Sequence, residues 1–185
     1  MRTRRRVFAV AALAAALGAW PAVAQAAPTA AATATGFTST VHSPAGKNCL
    51  DVPNGTKDIN ANLIGATCSS SPEQLYTFIP ETDPTNGLAG YVLDNHASGL
   101  CVRKYRSEAR QADCAAANPV PAGLIWRLLP VDPAAHKYLL EPTYVGGTTQ
   151  GRCLGTGAPN IVPTPFCDFS DPTQVMVLSG APTTA

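Results

Sequence analysis

Cys49, Cys101 and Cys153 stand 52 residues apart, and each opens a similar tetrad. The tetrads are Cys49-Leu50-Asp51-Val52, Cys101-Val102-Arg103-Lys104 and Cys153-Leu154-Gly155-Thr156. A glycine precedes each within three residues (Gly46, Gly99, Gly151), and a second cysteine follows after 19, 13 and 14 residues, at Cys68, Cys114 and Cys167. Further on come Gln74-Leu75-Tyr76, Leu124-Ile125-Trp126 and Gln174-Val175-Met176, whose last members are spaced by 50 and 50. Phe78-Ile79-Pro80 and Leu128-Leu129-Pro130 each lead to an Asp-Pro turn, at Asp83-Pro84 or Asp132-Pro133. Strand-like runs, Tyr91 to Asp94 and Lys137 to Leu140, then begin the next unit.

Three units sharing cysteines, a large apolar position and turn chemistry read as three similar supersecondary modules near 36–85, 86–133 and 134–180. None can bury its apolar face alone. Short β-like runs bounded by Gly, Pro, Asn and Asp, with little helical periodicity, point to an all-β domain. Seventeen prolines scattered through the chain also disfavour long helices. Closing three such units around a pseudo-threefold axis would remove exposed sheet edges, as barrels do. Six cysteines allow 15 connectivities. The repeat selects pairing within each unit: Cys49–Cys68, Cys101–Cys114 and Cys153–Cys167. Each bridge would close a loop short enough to contribute ~3 kcal/mol in the chain-entropy model.

The start of the chain sets the expected compartment. Arg2, Arg4, Arg5 and Arg6 precede an apolar run of 14 residues, Val7 to Trp20, and Ala24-Gln25-Ala26 follows as a small-x-small cleavage pattern. Residues 1–26 read as a secretory signal peptide, too short for a membrane span. Residues 27–35 read as a flexible Ala/Thr-rich leader, 36–180 as the folded domain and 181–185 as a C-terminal tail. Without residues 1–26 the chain keeps nine basic against twelve acidic residues, a net charge near −3. That balance gives no reason to expect a nucleic-acid partner. Disulfides suit an exported, extracellular protein. No CxxC pair and no Cys/His cluster with zinc spacing is present, so neither a metal nor another cofactor is expected. Catalytic motifs such as GxSxG and HExxH are likewise missing, and His42, His96 and His136 are isolated, so the chain reads as a non-enzyme.

The repeated unit (glycine, Cys-Leu-Asp-Val, a loop, a second cysteine, then Gln-x-aromatic) resembles the ricin B-type lectin repeat. Unit one carries it best, in Gly46 to Val52 and Glu73 to Tyr76. Unit two keeps Ser98-Gly99-Leu100-Cys101-Val102 and Trp126, with Leu124 where the family has Gln. Unit three keeps Gly151 to Leu154 and Gln174, with Met176 at the aromatic place. The resemblance implies a β-trefoil of three disulfide-containing repeats and a carbohydrate-binding, lectin-like module. In such lectins a carboxylate two residues after the first cysteine accepts hydrogen bonds from sugar hydroxyls, and an aromatic shortly before the second cysteine stacks on the sugar.

Carried over unit by unit, the carboxylate is Asp51 in unit one, while Arg103 and Gly155 stand at its place in the others. The stacking position, two before the second cysteine, holds Ala66, Ala112 and Pro165. Tyr105, Phe166 and Phe169 are aromatic but off that position. The candidate carbohydrate-binding residues are therefore Asp51, Glu73 and Gln74, in a set of otherwise degraded sites. Asp51 has a second reading, as an anchor for the Pro53-Asn54-Gly55 turn. Gln74 and Gln174 are read mainly as scaffold that bonds backbone within the unit, with Tyr76, Trp126 and Met176 as core. Arg103, Lys104, Arg106 and Arg110 form a small basic patch with Tyr105, read as a solvated loop. Two partner classes stay open: a glycan or cell-surface glycoconjugate, or a protein bound by the trefoil as an inhibitor, toxin-complex subunit or cell-surface contact protein.

Overall fold

The computed structural model describes residues 35–45, 48–114, 123–143, 151–156 and 160–183. The expected signal peptide, the leader up to residue 34, Gly46 and the last two residues of the tail lie outside them. Among the described residues the regular structure is β-strand with short 3-10 turns, and no helix is long and apolar enough to cross a membrane. The strands are β1 (Phe37–Thr40), β2 (His42–Ser43), β3 (Asn48–Asp51), β4 (Ile64–Thr67), β5 (Leu75–Thr82), β6 (Ala89–Asn95), β7 (Cys101–Tyr105), β8 (Glu108–Ala112), β9 (Ile125–Asp132), β10 (Lys137–Pro142) and β11 (Met176–Val177).

Only Val41 separates β1 from β2, so residues 37–43 act as one interrupted strand. On one side β1 pairs with β5, and on the other β2 pairs with β11. The pairs β5–β6, β6–β9, β9–β10 and β10–β11 complete the circuit, all antiparallel. The result is a closed barrel of six strands with no free edge between its first and last strands. Hairpins rise from it: β2 passes into β3–β4, and β6 passes into β7–β8. In unit three the corresponding segment carries one bridge, Arg152↔Phe166, and the bonds Cys153 N→Pro165 O and Gly155 N→Pro163 O. Pro163 and Pro165 have no N–H to return, so a full ladder cannot form there.

The units meet on the axis of the trefoil. Leu63 N donates to Ala109 O (3.4 Å), Ala109 N to Val162 O (2.9 Å) and Val162 N to Leu63 O (3.1 Å). All three residues are fully buried. Beneath them the repeat supplies the core in threes. Leu50, Val102 and Leu154, each next to a first cysteine, are enclosed, and so are Tyr76, Trp126 and Met176. The Trp126 indole N–H donates to Val102 O at 2.9 Å, which satisfies the one polar atom of that ring. Phe37 stacks on Phe78 with ring centroids 4.4 Å apart, and Tyr91 meets both edge-on.

The three disulfides join Cys49–Cys68, Cys101–Cys114 and Cys153–Cys167, the intra-unit pairing that the repeat selects. Gly99 (φ 67°) and Gly151 (φ 79°) take the left-handed conformation just before first cysteines, which gives the repeated glycine a backbone reason. The basic patch differs from its expectation. Arg103 and Lys104 lie on β7 and Arg110 on β8, with only Arg106 and Ser107 at the turn. The segment is a hairpin because residues 102 and 111 alternate inward with 104 and 109, and this apolar-stemmed face packs on the trefoil.

Two stability outcomes follow from this packing. Trp126→Ala should lower the unfolding free energy by ~3–5 kcal/mol, read as a shift of the urea midpoint. At Gly90 on β6, an added Cβ would lie 2.8 Å from Ile125 Cγ2 and 2.8 Å from the Trp126 carbonyl oxygen. Gly90→Ala should therefore destabilise by roughly 1–3 kcal/mol, although its backbone angles suit alanine. An unchanged midpoint in either variant would contradict the packing described.

Candidate functional site

Unit one assembles its candidate residues around one buried amide. Ser71 and Pro72 open the 3-10 turn Pro72–Gln74, which directs the Gln74 side chain inward until it is almost wholly enclosed. Its Nε2 donates to Asp51 Oδ2 at 2.7 Å and to Thr67 O at 3.0 Å, while Oε1 accepts from Ser69 N at 2.7 Å. The glutamine thus fastens the chain beyond Cys68 to the carboxylate at the end of β3. Among the described residues Gln74 is the one hydrogen-bond donor to the Asp51 carboxylate, and it binds Oδ2. The phenol of Tyr76 lies beneath; burial, and secondarily the Asp51 charge, push its pKa well above the ordinary tyrosine value.

Asp51 is not the anchor of the following turn. Gly55 N→Val52 O (3.0 Å) and Thr56 N→Pro53 O (3.1 Å) hold residues 53–55 through backbone alone, with no side-chain cap. Glu73 joins the site from the other side. Val52 N donates to Glu73 O at 3.2 Å, and a Cβ on Gly55 would lie 3.5 Å from Glu73 Oε1. Its own backbone N–H and the Ser71 hydroxyl hold the Glu73 carboxyl below the usual range, so it is ionised at neutral pH. The structure joins Gln74 to Asp51 side chain to side chain and ties Glu73 in through its backbone bond from Val52, with the Glu73 carboxylate toward Gly55. Ala66, paired with Cys49 in the hairpin, offers no ring for stacking.

The other two units rearrange this chemistry. In unit two Arg103 occupies the place of Asp51, and the fully buried Leu124 occupies that of Gln74. Arg103 stands directly opposite Arg110 in the β7–β8 register. Arg110 is bonded to Glu108 (Nε–Oε1 2.7 Å) and lies 4.7 Å from the centroid of the Tyr105 ring; Arg106 lies 5.4 Å from it. In unit three Gln174 keeps half of its role. Its Oε1 accepts from Asp168 N (3.2 Å), the residue after the second cysteine, as Ser69 is in unit one. With Gly155 at the carboxylate place, its Nε2 donates instead to Asp171 Oδ2 at 3.0 Å. Asp171 also accepts from Thr173 N and Oγ1, and the Thr173 hydroxyl and Gln174 amide hold its carboxyl below the usual aspartate range. That carboxylate is filled by donors of its own turn. The sequence reading missed it; the signal was an acid three residues before Gln174. Phe166 and Phe169 are exposed, and the Arg152 guanidinium lies 4.1 Å from the Phe166 centroid.

Asp94, Cys101 and Cys114 bring three potential metal ligands close together, but the two sulfurs are bonded to each other, which leaves a single carboxylate.

No protein-family model matches the chain, and no curated protein matches it either. Solved structures do. A designed threefold-symmetric protein, ThreeFoil, is 18% identical with a TM-score of 0.57, over 76% of this chain and 96% of that one. The C-half of an earthworm R-type lectin, solved in complex with GalNAc, is 11% identical with a TM-score of 0.53, over 78% of this chain and 98% of that one. The Macrolepiota procera ricin B-like lectin, solved with lactose, is 11% identical with a TM-score of 0.53, over 81% of this chain and 98% of that one. With its six-stranded barrel, its hairpins and its axial ring of hydrogen bonds, the chain has the β-trefoil fold of the ricin B-type lectins.

Proposed function

We propose that the protein is a secreted, non-catalytic carbohydrate-binding module whose neutral-sugar site is unit one. The observation that carries this reading is the Gln74–Asp51 bond at 2.7 Å. It fixes the carboxylate in one orientation with an oxygen left for ligand hydroxyls, and a positioned charged acceptor is what a polyol needs. Glu73 supplies a second acceptor at the rim. Gln74, buried with both ends of its amide engaged, acts by holding Asp51 rather than by touching sugar. Export is supported by three disulfides, which persist in oxidising compartments. The lactose and GalNAc in the structures of similar fold make galactose-type sugars the first ligands to try.

Without a ring at Ala66 the affinity should be weak, on the order of mM, or ~4 kcal/mol. Asp51→Asn keeps the shape and the bond from Gln74 but removes the charge. Hydrogen bonds to charged groups contribute ~1.5–3 kcal/mol, so binding of galactose should vanish in an NMR titration while the fold survives. Gln74→Leu should weaken binding and also lower stability by roughly 1–3 kcal/mol, since Ser69 N and Thr67 O lose their partner. If galactose-type sugars leave the parent spectrum unmoved, or shift parent and Asp51→Asn alike, the protein-interaction reading replaces this one. The exposed Phe166 and Phe169 of unit three favour that second reading and would be its contact surface.

A further inference from the structure

Unit two differs from unit one by a paired exchange. Where unit one has a carboxylate faced by an amide donor, unit two has Arg103 and the apolar Leu124. Retaining the glutamine would aim an N–H at a cation; losing both together removes that conflict. Along β7–β8 one face carries Arg103, Arg110, Tyr105 and Glu108, while Val102, Ala109 and Gln111 turn inward. On the outward face Glu108 neutralises Arg110, and the Tyr105 ring packs against Arg110. Arg103 has no such partner among the described residues. It makes no hydrogen bond and no ion pair to any described residue, and its Nε is buried without a partner. As a residue Arg103 is half-buried, so its side chain is not sealed from solvent.

This arrangement is costly without a ligand. Like charges directly opposite on one face repel, and a desolvated N–H without an acceptor lowers stability further. Lys104, on the inward face of β7, and Arg106, at the turn, add positive charge to the hairpin. Arg152 donates to Thr164 O at 3.2 Å, and Thr164 N donates to Ser107 O at the hairpin turn, which places Arg152 beside unit two. Burial and the nearby Arg152 charge lower the Lys104 pKa. Five of the nine basic residues beyond residue 26 thus belong to or adjoin this hairpin, in a domain whose net charge is near −3. Asp94, opposite Cys101 on β6, and Asp113, next to Cys114, lie at the disulfide end of the hairpin.

We propose that unit two is a charge-inverted copy of the unit-one site and binds an acidic sugar, its carboxylate or sulfate ester held by the Arg103 guanidinium. A guanidinium presents parallel N–H donors to two oxygens of such a group, which a neutral sugar cannot match. The inference rests on the reading of the trefoil as carbohydrate-binding, but it uses a different residue and a different ligand class.

The test titrates the oxidised protein with galacturonate, galactose 6-sulfate, galactose and inorganic sulfate, following the Arg103 side-chain Nε–Hε resonance. The two acidic sugars should move that signal saturably, and galactose should not. Inorganic sulfate should bind at least about tenfold more weakly than galactose 6-sulfate. Arg103→Gln should weaken both acidic sugars about tenfold or more, and added salt should weaken them in the parent. Arg103→Gln should unfold at the same midpoint as the parent or a higher one, because it removes an unpaired N–H and a repulsive charge. Asp51→Asn should leave acidic-sugar binding intact, so a failed unit-one site and a failed unit-two site give different results. Acidic sugars that do not bind, that bind equally well to Arg103→Gln, or that are matched by galactose or by inorganic sulfate would overturn the proposal. A lowered midpoint in Arg103→Gln with binding retained would also overturn it, by marking the residue as scaffold.

Discussion

Everything in this molecule depends on three backbone hydrogen bonds that run in a ring: Leu63 to Ala109, Ala109 to Val162 and Val162 to Leu63. Each comes from a different unit, so the ring closes only when all three units are present. The donors and acceptors sit where no water reaches them, and a buried N–H left unpaired costs ~1–3 kcal/mol. Two units without the third would expose both the broken ring and the apolar layers below it. The disulfides act differently, since each fastens one hairpin to itself and none crosses between units.

Because the ring uses backbone, it leaves side chains on the outer hairpin faces free to diverge. Unit one keeps an acid and its orienting amide, Asp51 and Gln74. Unit two replaces both, with Arg103 and Leu124. Unit three drops the acid at Gly155 and satisfies Gln174 from its own turn through Asp171. In unit two the buried partner has changed along with the charge, and in unit three the retained Gln174 has a new acceptor, as expected where an unmatched polar group is expensive. One scaffold therefore offers three chemically different faces: anionic, cationic and, around the exposed Phe166 and Phe169, apolar.

Much of the fold was legible in the chain. The 52-residue cysteine spacing, the alternation of short apolar runs and the Asp-Pro turns state a threefold all-β repeat, and a repeat leaves one sensible disulfide pairing. Tyr76, Trp126 and Met176 were legible as core because large apolar residues at one repeat position have to fill one layer. The site was legible only in outline. Asp51, Glu73 and Gln74 could be named from their places in the unit, and Arg103 and Gly155 could be seen to break the pattern.

Other features needed the three-dimensional arrangement because they depend on groups far apart in the chain or on direction within a strand. Asp51 and Gln74 are 23 residues apart, and only the hairpin geometry shows the amide donating to the acid rather than the acid pinning its local turn. The basic run at 103–110 reads as a solvated loop in sequence; the β7–β8 register shows a hairpin in which alternate residues, 104 and 109 among them, form a packed strand face. Composition counts charges but cannot show that Glu108 neutralises Arg110 and that Arg103 opposite it has no partner among the described residues. The sequence by itself determined the repeat, the bridges and the core, all of which follow from periodicity. Tertiary structure decided which polar groups are satisfied and which remain open, because hydrogen bonding is a property of distances between atoms and not of spacing along the chain.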